Sequence, residues 1–121
     1  MRVNLTSKLV NARVNEASAF TLVASFFDDS TDVWSASTPT SAKYRIDRIN
    51  GNPGCWSEVA GWTTLTPATS NSIAITAAQN AILSTYAFEE PRQITVKAND
   101  GLATQYEGTY TYSVINLAGT P

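Results

Sequence analysis

The chain has 121 residues, a net charge of −2 and an acidic pI near 4.9. That length suits one domain, and 43% hydrophobic residues supply one core while only 15% are charged. A single cysteine, Cys55, excludes an intrachain disulfide, and the lack of histidine excludes the common zinc sites and the usual Ser-His or Cys-His pairs.

In chain order, Asn4–Val14 reads as a first strand or docking arm, with Leu5, Leu9, Val10 and Val14 spaced by small polar residues. Phe20–Phe27 is a clearer strand. Phe20, Leu22, Ala24 and Phe26 share one face, and Thr21, Val23, Ser25 and Phe27 share the other. Asp28, Asp29, Ser30, Thr31 and Asp32 end it as a polar turn. After the breaker Thr38-Pro39-Thr40, residues Ala42, Tyr44 and Ile46 alternate with Lys43, Arg45 and Asp47 as a half-buried strand. Asn50–Gly54 is a loop. Trp62–Leu65 is a short extended piece stopped by Pro67, and Ser72–Thr76 places Ile73 and Ile75 on one face.

Ala77–Leu83 is the one helix-like stretch, a turn or two with Thr76 as its N-cap. Following Pro91, Ile94, Val96 and Ala98 form a strand that ends at Asn99-Asp100-Gly101, a hairpin signal. The returning strand carries Tyr106, Tyr110, Tyr112 and Val114 on even positions, and Ala118–Pro121 is expected to be a flexible tail. These elements predict one all-β domain over residues 1–121. The expected fold is an immunoglobulin-like antiparallel β-sandwich of about seven strands with one short helical turn.

The groups that carry chemistry are sparse. Cys55 sits in a Gly/Pro loop without a histidine partner and reads as a bystander. In the pairs Asp28-Asp29 and Glu89-Glu90, neighbours on a strand point to opposite faces, which suits no shared acid/base couple. A calcium site from Asp28, Asp29 and Asp32 competes with a plain polar turn, and the turn is the reading kept. No phosphate-loop or dinucleotide pattern occurs. Lys43, Arg45 and Arg48 form the densest basic group and read as a solvated strand face, so no nucleic-acid partner is expected. Met1–Val10 lacks the apolar stretch of a signal peptide, and no run approaches the roughly 20 residues of a membrane span. A product made in the cytosol, with no membrane partner, is expected. Trp62 is assigned to the core. Trp34 and Trp56, in turn-rich segments, either cap the sandwich ends or stand exposed at an interface or as sugar-stacking platforms.

Four stretches stand in a distinctive order: Ala42-Lys43-Tyr44-Arg45-Ile46-Asp47, Trp62-Thr63-Thr64-Leu65-Thr66-Pro67, Ser72 to Ile82 (SIAITAAQNAI), and Glu90 to Ala98 (EPRQITVKA). In that order they resemble short immunoglobulin-like proteins encoded among the virion genes of tailed bacteriophages, over roughly residues 40–117. The resemblance implies a non-enzymatic virion component without cofactors. It would be a capsid decoration (cement) protein on the major capsid protein lattice, or a neck or tail accessory protein. It would act as a homo-oligomer or in many copies. An immunoglobulin-like module binding carbohydrate or the host surface is the reading from another class. The expected docking surface is Met1–Val14 with the loop ends, and Arg2, Arg13 and Trp34 are the candidate partner-binding residues.

Overall fold

In the computed structural model, residues 1–29, 33–49, 56–81 and 88–117 are described. Nine strands lie among them: β1 Arg2–Ser7, β2 Arg13–Asn15, β3 Phe20–Asp28, β4 Ser35–Ala36, β5 Ala42–Ile49, β6 Trp56–Leu65, β7 Ser70–Ile75, β8 Glu89–Ala98 and β9 Tyr106–Ile115. They form two sheets. In the first, β3 is central, β1 pairs along one edge, and β7 and β4 follow each other along the opposite edge. The second runs β2-β9-β8-β5-β6, antiparallel throughout except for the parallel pair β2–β9. The molecule is therefore an all-β sandwich.

Alternation builds its core. Leu22, Ala24 and Phe26 of β3 and Ile73 and Ile75 of β7 face Ala42, Tyr44, Ile46, Ile94, Val96, Ala98, Tyr112 and Val114 of the second sheet. A buried aliphatic or aromatic side chain contributes roughly 1.5–3 kcal/mol, so this set stabilises the fold without a cross-link. Phe20 meets Tyr112 edge-on, with ring centroids 5.0 Å apart.

Several elements differ from expectation. The opening stretch is not one strand. After β1 the chain crosses from the first sheet to the second through a 3₁₀ turn, Val10–Ala12, and resumes as β2. Asn11 and Ala12 both take left-handed backbone, with φ of 53° and 52°. For alanine this conformation costs roughly 1–2 kcal/mol. β6 reaches back to Trp56, because Gly61 and two register shifts against β5 break the alternation by which Trp56–Gly61 could be read as a strand. β8 starts at Glu89 and contains Pro91, which lies beyond the last β5 pair. Its missing N–H therefore breaks no ladder on that side.

The turn after β7 is held by reciprocal bonds. The Gln79 amide N–H donates to the Thr76 hydroxyl (3.1 Å), and the Thr76 N–H donates to the Gln79 side-chain oxygen (2.8 Å). This capping arrangement matches the N-cap assigned to Thr76. Ile82 and Leu83, the end of the expected helical stretch, lie outside the described residues, as do Asn50–Gly54, Cys55 and Ala118–Pro121. The β8–β9 connection is a seven-residue hairpin loop, with positive φ at Asn99 and Gly101. Buried Asn99 accepts from the Thr40 N–H (2.7 Å) and donates to Thr104 (3.0 Å).

One end of the core is polar. Arg92 is fully buried, bonded to the Glu90 carboxylate at 2.6 and 3.1 Å and to the carbonyls of Gln79 and Ala81. Beside it the Tyr112 hydroxyl donates to the Asn80 side chain (2.8 Å), which donates in turn to the Ser18 carbonyl (2.7 Å). Among the described residues no helix is long and apolar enough to cross a membrane.

Candidate interaction surface

The candidates separate in space. Arg2 and Trp34 meet at one end of the sandwich, whereas Arg13, on β2, is at the other end and pairs with Glu89 at 2.7 Å. Alternation sends Arg2 outward from β1, opposite Phe27 of β3. Trp34 arrives from the segment that leads into β4, whose two residues pair with the last turn-ward residues of β3.

Asp29 organises this end. One carboxylate oxygen accepts from the Met1 amino group (2.8 Å) and the other from Arg2 Nε (3.0 Å). Hydrogen bonding to the Met1 amino group holds the Asp29 carboxyl below its ordinary range. Bonding to Tyr106, and then to Asp29, raises the Arg2 guanidinium. With one edge fixed by Asp29, the guanidinium lies 5.3 Å from the Trp34 ring and 5.7 Å from that of Tyr106. Phe27 packs at 6.3 Å on Trp34. Trp34 remains 55% exposed, and its neighbour Val33 is 75% exposed. The result is a small apolar surface beside a neutralised cation, pre-set by side chains that are themselves pinned. Such a surface suits protein contact, where Trp and Arg dominate the energetics.

Residue-type reasoning pointed to Arg2 and Trp34 but missed Asp29, Tyr106 and Phe27. Asp29 read as a turn residue, and no local signal brings Tyr106 of β9 to the N-terminal strand. Of the residues in the calcium alternative, Asp29 is committed to two cationic groups, and Asp32 lies outside the described residues. Glu89 and Glu90 diverge: Glu89 is exposed, and Glu90 turns inward to Arg92.

The assignment of Trp62 to the core is overturned. Trp62 stands on the outer face of the five-stranded sheet, 41% exposed. The first register shift of β6 falls beside it, so β6 residues on either side lose step with β5. Its indole lies under three cations: Lys43 at 4.7 Å, Lys97 at 5.4 Å and Arg45 at 5.6 Å. Each is also paired with a carboxylate: Lys43 with Asp100, Lys97 with Glu107 and Arg45 with Asp47. The basic group is thus a charge-balanced face, and Arg48 belongs to the other side, near Glu90. The side chain of Trp56 lies outside what is described.

Comparison of the chain with known protein families, with curated proteins and with solved structures finds no match in any of the three.

Proposed function

We propose that this chain is a non-enzymatic structural protein of a tailed-bacteriophage virion, most specifically a capsid decoration protein that binds the major capsid protein lattice. The observation that carries the docking surface is the exposed Val33–Trp34 pair, held in place by Arg2 beside the N-terminal strand. The assignment to virions draws on the resemblance over residues 40–117. The sheet order supports reading the sandwich as immunoglobulin-like: β9-β8-β5-β6 opposite β3 and β7, with the opening strand shared between sheets.

The mechanism is mass action: a protein that binds only the assembled shell stabilises it by RT ln(1 + [L]/Kd). A glycan-binding reading fits less well, because the Arg2 guanidinium lies over the Trp34 ring that a sugar would need. Quantitative mass spectrometry of purified particles tests the proposal. A copy number in small integer ratio to the major capsid protein supports decoration. A handful of copies moves the protein to the neck or tail, and absence from particles overturns the reading.

A further inference from the structure

We infer that β1 is an exchangeable strand: when two copies associate, Arg2–Ser7 of each occupies the β1 position on β3 of the other. The inference does not rest on the virion assignment. It starts from the kink between β1 and β2. Leu9 and Arg13 on either side are extended, and within the 3₁₀ turn Val10–Ala12 between them Asn11 and Ala12 enter the left-handed region. Neither residue is a glycine, so the turn that folds β1 back onto its own domain is strained where it is sharpest. Val10, at its tip, is 78% exposed and adds no packing to hold it.

Straightening the Val10–Ala12 turn joins β1 and β2 into one extended segment. With Arg2–Leu9 seated on the second copy and Arg13 still on its own β9, the stretch from Leu9 to Arg13 bridges roughly 13 Å between the two molecules when extended.

The receiving site has room for more than the native strand. The β1–β3 ladder runs from Arg2↔Phe27 to Ser7↔Leu22 and stops there, because the chain must then cross to the second sheet. Among the described residues, Thr21 and Phe20 of β3 continue past it with no strand partner on that side, although β7 still pairs them on the other. Between them and the end of β1 lies a groove of about 540 Å³, lined on one side by Thr6–Leu9 of the departing segment and on the other by Phe20, Thr21 and Val23 of β3, so the ladder is splayed apart where it stops. A strand arriving from a second copy need not turn into the second sheet of the domain it joins, and returns to its own molecule only after Leu9. In the same register Lys8 falls opposite Thr21 and Leu9 opposite Phe20, and Leu9 points to the face that carries Val3 and Leu5. Exchange therefore keeps every contact of β1, including the Arg2 clasp on Asp29, Trp34 and Tyr106, and adds two residue pairs. Domain swapping of this kind is favoured where a hinge is strained and the exchanged element is self-complementary.

A cysteine pair across the ladder reads the strand's origin. Asn4 and Ser25 are register partners, close enough on adjacent strands for a disulfide. N4C/S25C is placed in full-length protein carrying Cys55→Ser, concentrated, oxidised and run without reductant. Exchange gives chains covalently linked as dimers. Cystine confined within single chains overturns the inference, whether the protein sediments as monomer or as a dimer built some other way. Two hinge variants shift the balance in opposite directions. Ala12→Gly relaxes the kink and lowers the linked fraction about fivefold or more. Ala12→Pro fixes φ near −65° and drives Asn11 to extended backbone, making exchange the main state. A folded Ala12→Pro monomer would also overturn it, and the cysteine readout stands even where this variant misfolds.

Discussion

At the scale of single residues, the buried Arg92–Glu90 pair has the largest consequence. Arg92→Leu takes from the Glu90 carboxylate its two guanidinium hydrogen bonds, leaving Arg48 at 4.0 Å, and removes the donors to the Gln79 and Ala81 carbonyls. Loss of one partner from such a pair costs about 3–5 kcal/mol, read as a lower urea midpoint. Trp34→Ala behaves oppositely. Its ring is mostly outside the core, so the melting temperature changes little, while binding to the docking partner weakens by about 2 kcal/mol or more if Trp34 is the anchor.

Tyr112 sets an alkaline limit. Burial pushes its hydroxyl up to about 12, with the Arg92 charge pulling the other way. The unfolded chain releases this proton near pH 10 and the folded chain keeps it, so stability falls as pH rises from about 10 to 12. Tyr112→Phe should flatten that fall in urea titrations at successive pH values. Asp29 and Asp100 work at the other extreme, held low by the Met1 amino group and by Lys43 respectively. Their contribution is complete above about pH 4 and disappears as pH drops through their lower folded values. Asp100→Asn should therefore make the acid limb shallower.

At the scale of elements, the strands that could be read from sequence were those with strict alternation. Leu22, Ala24 and Phe26, Tyr44 and Ile46, Ile73 and Ile75, and Ile94, Val96 and Ala98 all face the core as their period of two required. Legibility failed where geometry departs from that period. The β1–β2 kink carries no glycine or proline to announce it, and the β6 bulges move Trp62 to the outer face. The Arg2–Trp34 cluster was half legible: the types were suggestive, but the Asp29 and Tyr106 that fix them are neighbours only after folding. Gly108 is the clearest element-level test. A Cβ there would stand 3.3 Å from the Val3 Cβ, so this glycine lets β1 close over β9. Gly108→Val should cost about 1–3 kcal/mol and weaken β1 first, seen as faster amide exchange in residues 2–7 than in β8.

At the scale of the whole molecule, the sandwich is closed on one flank and open on the other. On the closed flank β1 leans over β9, Val3 and Leu5 sit against Gly108, and Ser7 and Tyr110 share a 2.5 Å hydroxyl contact. The open flank is bounded by β6 in one sheet and by β7 and β4 in the other. β6 is ten residues long and, among the described residues, is paired with a strand on one side only, the kind of border that recruits strands from other molecules. Its two register shifts keep that border from lying straight, and the Glu58 carboxylate folds back over Gly61 at its middle. A crowded solution of this protein should therefore stay clear rather than seed fibrils. Restoring an even border, by deleting Gly61 and Val59 and replacing Glu58 with Thr, should turn it into one that gels and binds thioflavin.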